Sequence, residues 1–357
     1  MKLHIGVNDR FLEIFINNAK ESSNLSDHHF LIYGNPELPF SDNFSFENLT
    51  FVDKLNHSDD IIDKINQSTV IYIHFLSEEV SLFLSTFDLS NKKLVWIFWG
   101  TDGFSLPEIS KQLKDPARSI FYNLAKDVRD YFFKRKSKSA KYLILPKINY
   151  FAHYIDEDFE MMRSLLAEDV QFLNFSYGVN ESIIIDKPLL GDDILVGNSA
   201  SITNYHLFAF NKIEAGHSTS KIHCPLSYGG QPDYVNQMIA EGKKRFGTRF
   251  IPYTEKMKSA AFHNIVLSQA KFAFMCNNRS QAWGNIMQLL WQGSSVFMLK
   301  QNNLFKFLKR NGFHVFDAEK EKFISLSQNQ MIENRQKLNQ LFSLNAMKDN
   351  YNLLLSI

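Results

Sequence analysis

The sequence predicts an α/β protein made of two parallel-sheet domains. Three observations carry the prediction. Short apolar, β-rich runs alternate with helically spaced apolar residues along nearly the whole chain, the pattern of strands joined by crossover helices. The alternation stops and restarts around residues 173–190, where Ser176-Tyr-Gly-Val-Asn-Glu-Ser182 and Pro188 interrupt it. And 357 residues suffice for two domains of ordinary size. The expected boundaries are a first domain at 1–172, a linker at 173–190, a second domain at 191–326, and a helical tail at 327–357 that crosses back to the first.

Composition narrows the class. The chain is 45% hydrophobic and 22% charged, as in an ordinary soluble globular protein. Lys+Arg 39 against Asp+Glu 38 leaves +1, so net charge gives no argument for a nucleic-acid partner. The 33 Phe and 13 Tyr point to aromatic-rich cores, exposed aromatics, or both. Cys224 and Cys276 each sit by apolar, strand-like residues and read as buried free thiols in a reducing compartment. Asp9, Arg10 and Glu13 break the first apolar run, so no leader peptide is expected there. No uncharged run approaches the ~18 residues needed to span a bilayer.

In the first domain, Leu3–Val7 reads as a strand and Phe11–Lys20 as a helix with apolar spacing at Phe11, Ile14 and Phe15. His29–Tyr33 is a strand stopped by Gly34-Asn35-Pro36, and Thr50–Val52 a further short one. Asp59–Gln67 is an amphipathic helix carried by Ile61, Ile62 and Ile65. Thr69–Phe75 and Lys93–Trp99 are continuous apolar runs, as strands buried on both faces are; Glu79–Phe87 is the helix between them. In such sheets ligands bind outside the carboxyl ends of the strands. His74 and Asp102 both fall there and are candidates for a general base toward a hydroxyl. Each has a structural alternative, a packed histidine for His74 and a turn or helix cap for Asp102. Between Arg118 and Tyr142 the chain interleaves Phe132 and Phe133 with Arg129, Lys134, Arg135, Lys136 and Lys138. That mixture suits an anionic membrane surface, or else a merely solvated face. Asp156–Leu166 reads as a helix opened by acids.

The second domain opens with Ile194-Leu-Val196, broken by Gly197-Asn198-Ser199 and followed by small polar residues and a helical pattern from Tyr205. A strand ending so at a helix start aims unpaired backbone N–H groups outward, an arrangement that binds phosphate; the structural alternative is a simple capped βα turn. Lys221–Cys224, Arg249–Pro252, Phe272–Cys276 and Ser295–Lys300 read as strands; Tyr234–Lys244, Glu255–Ser268 and Ile286–Trp291 read as helices. Asn277 to Asn285 is a second polar, glycine-bearing helix start. If both loops leave one sheet edge, together they grip a diphosphate and its sugar, with Arg279 adding a bidentate contact. Ser327–Leu355 reads as helical. No G-x-G-x-x-G is present, which argues against a dinucleotide enzyme. Two such domains, with phosphate-type loops mainly in the second, describe GT-B, the glycosyltransferase architecture of two Rossmann-like domains facing across a cleft. No Cys/His cluster suggests a metal.

Ile71-Tyr-Ile-His-Phe75, Val95-Trp-Ile-Phe-Trp-Gly-Thr-Asp102, Ile194-Leu-Val-Gly-Asn-Ser199 with Asn204 and His206, and Ser280-Gln-Ala-Trp-Gly284 together make the chain resemble a known family. It is the TDP-N-acetylfucosamine:lipid II N-acetylfucosaminyltransferases of enterobacterial common antigen synthesis, glycosyltransferase family 56. The resemblance covers residues 3–305. It implies a dTDP-linked amino-sugar donor, a polyprenyl-diphosphate-linked saccharide acceptor, no metal cofactor, and work at the cytoplasmic face of the bacterial inner membrane. Where the family has Gln-Gly-x-Gly, this chain has Gln281-Ala282-Trp283-Gly284, which sets Trp283 beside the expected donor sugar. On this reading Gly197, Asn198, Ser199, Ser201 and Asn204 hold the donor, with Ser280, Gln281, Gly284 and Asn285 opposite. Tyr228 and Tyr253 flank the nucleoside, and Asp102 or His74 serves as base. The rival readings are a transferase with a soluble, capsule, lipopolysaccharide or protein acceptor, and a non-catalytic nucleotide-binding protein of the same fold.

Overall fold

Each of the two apolar alternations folds into its own parallel sheet in the computed structural model, which describes residues 1–35, 48–113, 139–178, 184–214, 219–321 and 323–357. The chain forms two units: Met1–Gln112, Ile120–Val179 and Leu344–Ile357 in one, Leu113–Ser119 and Asn180–Ser343 in the other. The architecture is two Rossmann-like α/β domains, the GT-B type.

The first sheet holds β1 (Lys2–Val7), β2 (His28–Tyr33), β3 (Leu49–Val52), β4 (Val70–His74), β5 (Lys93–Ile97), β6 (Tyr150–His153) and β7 (Gln171–Asn174), in the order β3-β2-β1-β4-β5-β6-β7. Every residue of β4 is buried, because helices cover both faces and a parallel strand must be apolar on each. β4 ends at His74 rather than Phe75 because Phe75 adopts φ +74° and turns the chain out of the ladder. The helix Arg10–Ser22 is capped by Asp9, whose carboxylate accepts from Phe11 N–H at 2.8 Å. The helix Glu78–Leu84 stops before the expected Phe87. The Ser81, Ser85 and Thr86 hydroxyls all bond back to carbonyls of its own turns, which competes with helix continuation.

The second sheet holds β8 (Asp193–Val196), β9 (Ile222–Pro225), β10 (Phe250–Tyr253), β11 (Ala270–Met275), β12 (Ser295–Met298) and β13 (Phe316–Asp317), in the order β10-β9-β8-β11-β12-β13. Its core gathers Ile194, Val196, Phe210, Cys224, Phe250, Phe274, Cys276 and Phe297. Cys224 and Cys276 are buried and free. The tail is two helices, Gln328–Phe342 and Leu344–Ser356, because Ser343 between them is extended (φ −69°, ψ 157°). Gln328–Phe342 belongs to the second unit. Leu344–Ser356 buries Met347, Tyr351 and Leu354 in the first unit's core, and Tyr72 Oη donates to the Leu354 carbonyl at 2.7 Å.

In both sheets the strand order reverses at one place, between β1 and β4 and between β8 and β11. The connections to either side of such a point diverge and leave a crevice at the carboxyl edge, where α/β proteins place their ligands. His74 stands at the first of these points and the Val196 and Met275 strand ends at the second.

Candidate active site

At the second sheet's switch point, β8 and β11 run parallel with Val196 level with Phe274. The loops after them therefore leave the same edge, and they lock together. Gln281 Nε2 donates to Asn198 Oδ1 at 3.1 Å. Thr203 Oγ1 and Arg279 Nε both donate to Gln281 Oε1 at 2.9 Å. Asn277 Nδ2 reaches Asn204 Oδ1 at 2.9 Å, and Asn278 N–H reaches the Thr203 carbonyl at 3.3 Å. Asn302 braces the second loop by donating to the Asn277 and Arg279 carbonyls, each at 2.9 Å.

The first loop departs from expectation. Its helix begins at His206, one residue after the expected Tyr205, which is left-handed (φ +46°). The loop's amides mostly point inward: Gly197 N–H donates to the Phe274 carbonyl, Asn198 to Asn204 Oδ1, Ala200 to the Tyr228 carbonyl and Ser201 to Ser199 Oγ. Asn204 is the reason. Fully buried, it donates to Ser199 O, Ser199 Oγ and Ser201 O and accepts from Asn198 N–H at the loop's centre. Gly197 (φ +67°) has no room for more: a Cβ would meet Asn204 Oδ1 at 2.8 Å and His206 Nε2 at 3.0 Å. Asn204 thus clamps the loop. Asn198 and Ser199 are nearly buried, with Ser201 partly exposed beside them.

The second loop supplies what the first does not. Ala282 (φ +61°) turns the chain into the helix Trp283–Gln292, which starts three residues before the expected Ile286. Ile286 N–H, donating to the Ala282 carbonyl at 3.0 Å, makes the first intrahelical bond. Gly284 and Asn285 lie ahead of it in the first turn, partly exposed, at the positive end of the helix dipole. Arg279 and Ser280 precede that end and are partly buried. Burial lowers the Arg279 guanidinium from its usual value. The Trp283 ring packs on Phe342, centroids 4.7 Å apart. Tyr228 is 55% exposed and its hydroxyl accepts from Asn198 Nδ2 at 3.0 Å. Next to it a cavity of about 440 Å³ is lined by Ala200, Ile202, Gly229, Gly230, Gln231 and Tyr234. Tyr253 is not part of this group. It ends β10, two strands from the switch point, bonded to His223 Nδ1 at 2.7 Å and stacked on that ring.

At the first sheet's edge the two expected bases are both enclosed. Asp102 is fully buried; its carboxylate accepts from Trp96 Nε1 (2.8 Å), Leu76 N–H (3.1 Å) and Trp99 N–H (3.2 Å). Burial raises its pKa against the pull of those donors. It ties together the turns after β4 and β5, and Lys141 Nζ fastens its carbonyl at 2.6 Å. His74 is also fully buried, and burial pulls its imidazole down to about 3. Its two nitrogens meet His4 Nδ1 at 2.9 Å and Tyr177 Oη at 2.5 Å. With both nitrogens so engaged, His74 meets the sheet edge through Tyr177, which is partly exposed. Tyr177 sits against the Trp99 ring (5.5 Å), which in turn meets Phe75 (5.4 Å) and the half-exposed Phe11 (5.5 Å). The sequence reading missed His4, His28 and Tyr177. The available signal was a histidine inside otherwise apolar strands.

The basic-aromatic stretch with Arg129, Phe132, Phe133, Lys134, Arg135, Lys136 and Lys138 lies outside the described residues. Among the described residues no helix is long and apolar enough to cross a membrane, and no three His, Cys, Asp or Glu gather as metal ligands do.

The family described as 4-alpha-L-fucosyltransferase glycosyl transferase group 56 matches residues 6–356. No curated protein matches the chain in sequence. Among solved structures, the chain is similar to sucrose-phosphate synthase from Thermosynechococcus elongatus (TM-score 0.64, 9% identity, covering 100% of this chain and 98% of that one). It is similar also to HepE of Anabaena in complex with UDP and glucose (0.63, 9%, 100% and 99%). A third is WaaB, a lipopolysaccharide outer core galactosyltransferase in apo form (0.55, 10%, 100% and 100%). At such identities these likenesses establish the shared fold.

Proposed function

The chain belongs to the 4-alpha-L-fucosyltransferase family, glycosyl transferase group 56, and on that footing we propose that this glycosyltransferase moves an amino-deoxyhexose, N-acetylfucosamine, from a dTDP-sugar. The acceptor is a saccharide on polyprenyl diphosphate, in surface polysaccharide synthesis of the enterobacterial common antigen type. The reaction takes place at the cytoplasmic face of the inner membrane.

One observation carries the assignment of the donor to the second unit. A helix N-terminus at Trp283–Asn285 and the partly buried Arg279 lie at the β8/β11 switch point, cross-braced to Asn198 through Gln281. The proposed role of this end is to stabilise the diphosphate as the glycosidic bond breaks, because charge builds there in the transition state. Amide donors and a cation held by Asn302 and Gln281 need no reorganisation at that moment. In this proposal the charge is met without a bound metal. Tyr228, exposed beside the Gly229-Gly230 cavity, is the residue assigned to the nucleoside.

The test is transfer by the full chain, assayed with dTDP-, UDP- and GDP-linked sugars against a polyprenyl-diphosphate disaccharide and against soluble oligosaccharides. The proposal expects one added sugar on the lipid-linked acceptor, with dTDP-N-acetylfucosamine the preferred donor. Transfer only to a soluble acceptor, or only from another nucleotide, would replace it.

A further inference from the structure

His4 and His28 belong to none of the chemistry assigned above, yet they are bonded to it. Parallel register sets His28 level with Lys2 and His74 level with Gly6, with His4 midway on β1. The three imidazoles thus step along one face of the sheet from its strand-start edge to its carboxyl edge. They touch in a row: His28 Nδ1 to His4 Nε2 at 2.8 Å, His4 Nδ1 to His74 Nε2 at 2.9 Å, His74 Nδ1 to Tyr177 Oη at 2.5 Å. At the far end His28 Nε2 lies 3.5 Å from Asp27 Oδ1, a side chain 57% exposed, and the Leu355 carbonyl also bonds the His28 ring. His4 is held between the Phe30 and Tyr72 rings at 4.3 and 4.2 Å. Tyr177 is fixed at its carbonyl by Asn18 Nδ2 and Tyr351 Oη. The other titratable groups facing the row are Lys2, His29 and the Met1 amino group near His28 and His4, and Asp9, Asp102 and Tyr351 near Tyr177.

A neutral imidazole has one donor and one acceptor nitrogen. A row bonded ring to ring therefore has two proton orderings, all toward Asp27 or all toward Tyr177. Admitting a proton at one end and releasing one at the other converts the first into the second. Burial keeps the rings neutral, drawing His28 to about 4 and His74 to about 3, so no ring retains the proton in transit.

We propose that Tyr177, His74, His4 and His28 form a proton relay that carries the acceptor hydroxyl's proton through the first unit's core to solvent at Asp27. This rests on the glycosyl-transfer reading above. The acceptor oxygen bonds to the anomeric carbon, and the bond to the diphosphate breaks with its electron pair leaving on phosphate oxygen. The acceptor proton passes to Tyr177 Oη and the tyrosine's own proton to His74 Nδ1. The His74 Nε2 proton moves to His4 Nδ1, the His4 Nε2 proton to His28 Nδ1, and the His28 Nε2 proton to the Asp27 carboxylate and water. After product leaves, a proton re-entering at Asp27 and leaving to water at Tyr177 restores the first ordering.

The experiment compares wild type with His4→Gln and His28→Gln in steady-state and single-turnover transfer, using dTDP-N-acetylfucosamine and the lipid-linked disaccharide. Glutamine keeps a donor and an acceptor but passes no proton. The relay predicts a loss of ~100-fold in kcat with donor KM unchanged, and in wild type a curved dependence of rate on deuterium fraction, as several protons in flight produce. Should His4→Gln misfold, His28→Gln and the wild-type deuterium curve decide. Unchanged kcat across pH in a folded variant, or a one-proton linear curve in wild type, overturns the relay while transfer itself stands. A wild type that transfers no sugar from any donor overturns the transfer reading and the relay with it.

Discussion

Asp102 and His74 show what a single residue's surroundings decide. Both sit where a base would be sought, yet Asp102 spends its carboxylate on three N–H donors and His74 spends both nitrogens on neighbours. Replacing Asp102 by Asn turns an NH2 toward a donor that needs an acceptor. The expected cost is about 1–3 kcal/mol, read as a lower unfolding midpoint, with dTDP affinity unaltered because the nucleotide is assigned to the other unit. An unchanged midpoint would remove the anchoring role. The histidines carry a pH signature. His28 and His206 are drawn to about 4 and His74 to about 3, all by burial, against a usual 6.5. The unfolded chain takes up their protons below 6.5 and the fold does not until much lower. Stability is therefore complete above 6.5 and falls as pH drops toward 4, by about 1.4 kcal/mol per pH unit for each histidine. Urea midpoints at pH 7.5 and pH 5 check this; equal midpoints would contradict it.

At the scale of elements, strands were legible and loops were not. β4 and β5 announce themselves because burial on both faces demands an unbroken apolar run, and Asp59–Gln67 because its isoleucines share one face. The Val-Gly-Asn-Ser turn was found but its amides were misjudged. Spacing cannot reveal that Asn204 folds back to occupy them. The tail's break at Ser343 was likewise invisible, since it follows from which core each half packs against. Ala282 illustrates a residue at odds with its element. It holds φ +61°, a left-handed conformation that suits glycine. Ala282→Gly should stabilise the second unit by about 1 kcal/mol and raise its melting temperature without reducing transfer. A lower melting temperature would show that the alanine methyl is needed in packing.

At the scale of the whole molecule, the two sheets repeat one topology and differ in what they place at the switch point. The second brings a helix end, a cation and an exposed tyrosine to its edge; the first brings aromatic rings and the hydroxyl of Tyr177. The membrane reading belongs here too. Replacing Lys134, Arg135, Lys136 and Lys138 with Gln should weaken flotation with anionic liposomes at low salt, by roughly 1 kcal/mol for each charge near the surface. Equal flotation would assign that stretch to solvent.

The claim on which the account turns is that the β8/β11 loops hold the activated sugar's nucleotide. Hydrogen–deuterium exchange of the full chain with and without dTDP tests it directly. The account predicts slowed exchange at residues 197–204 and 279–286 with the first unit unchanged. Protection confined to the first unit, or none at either loop, would contradict it.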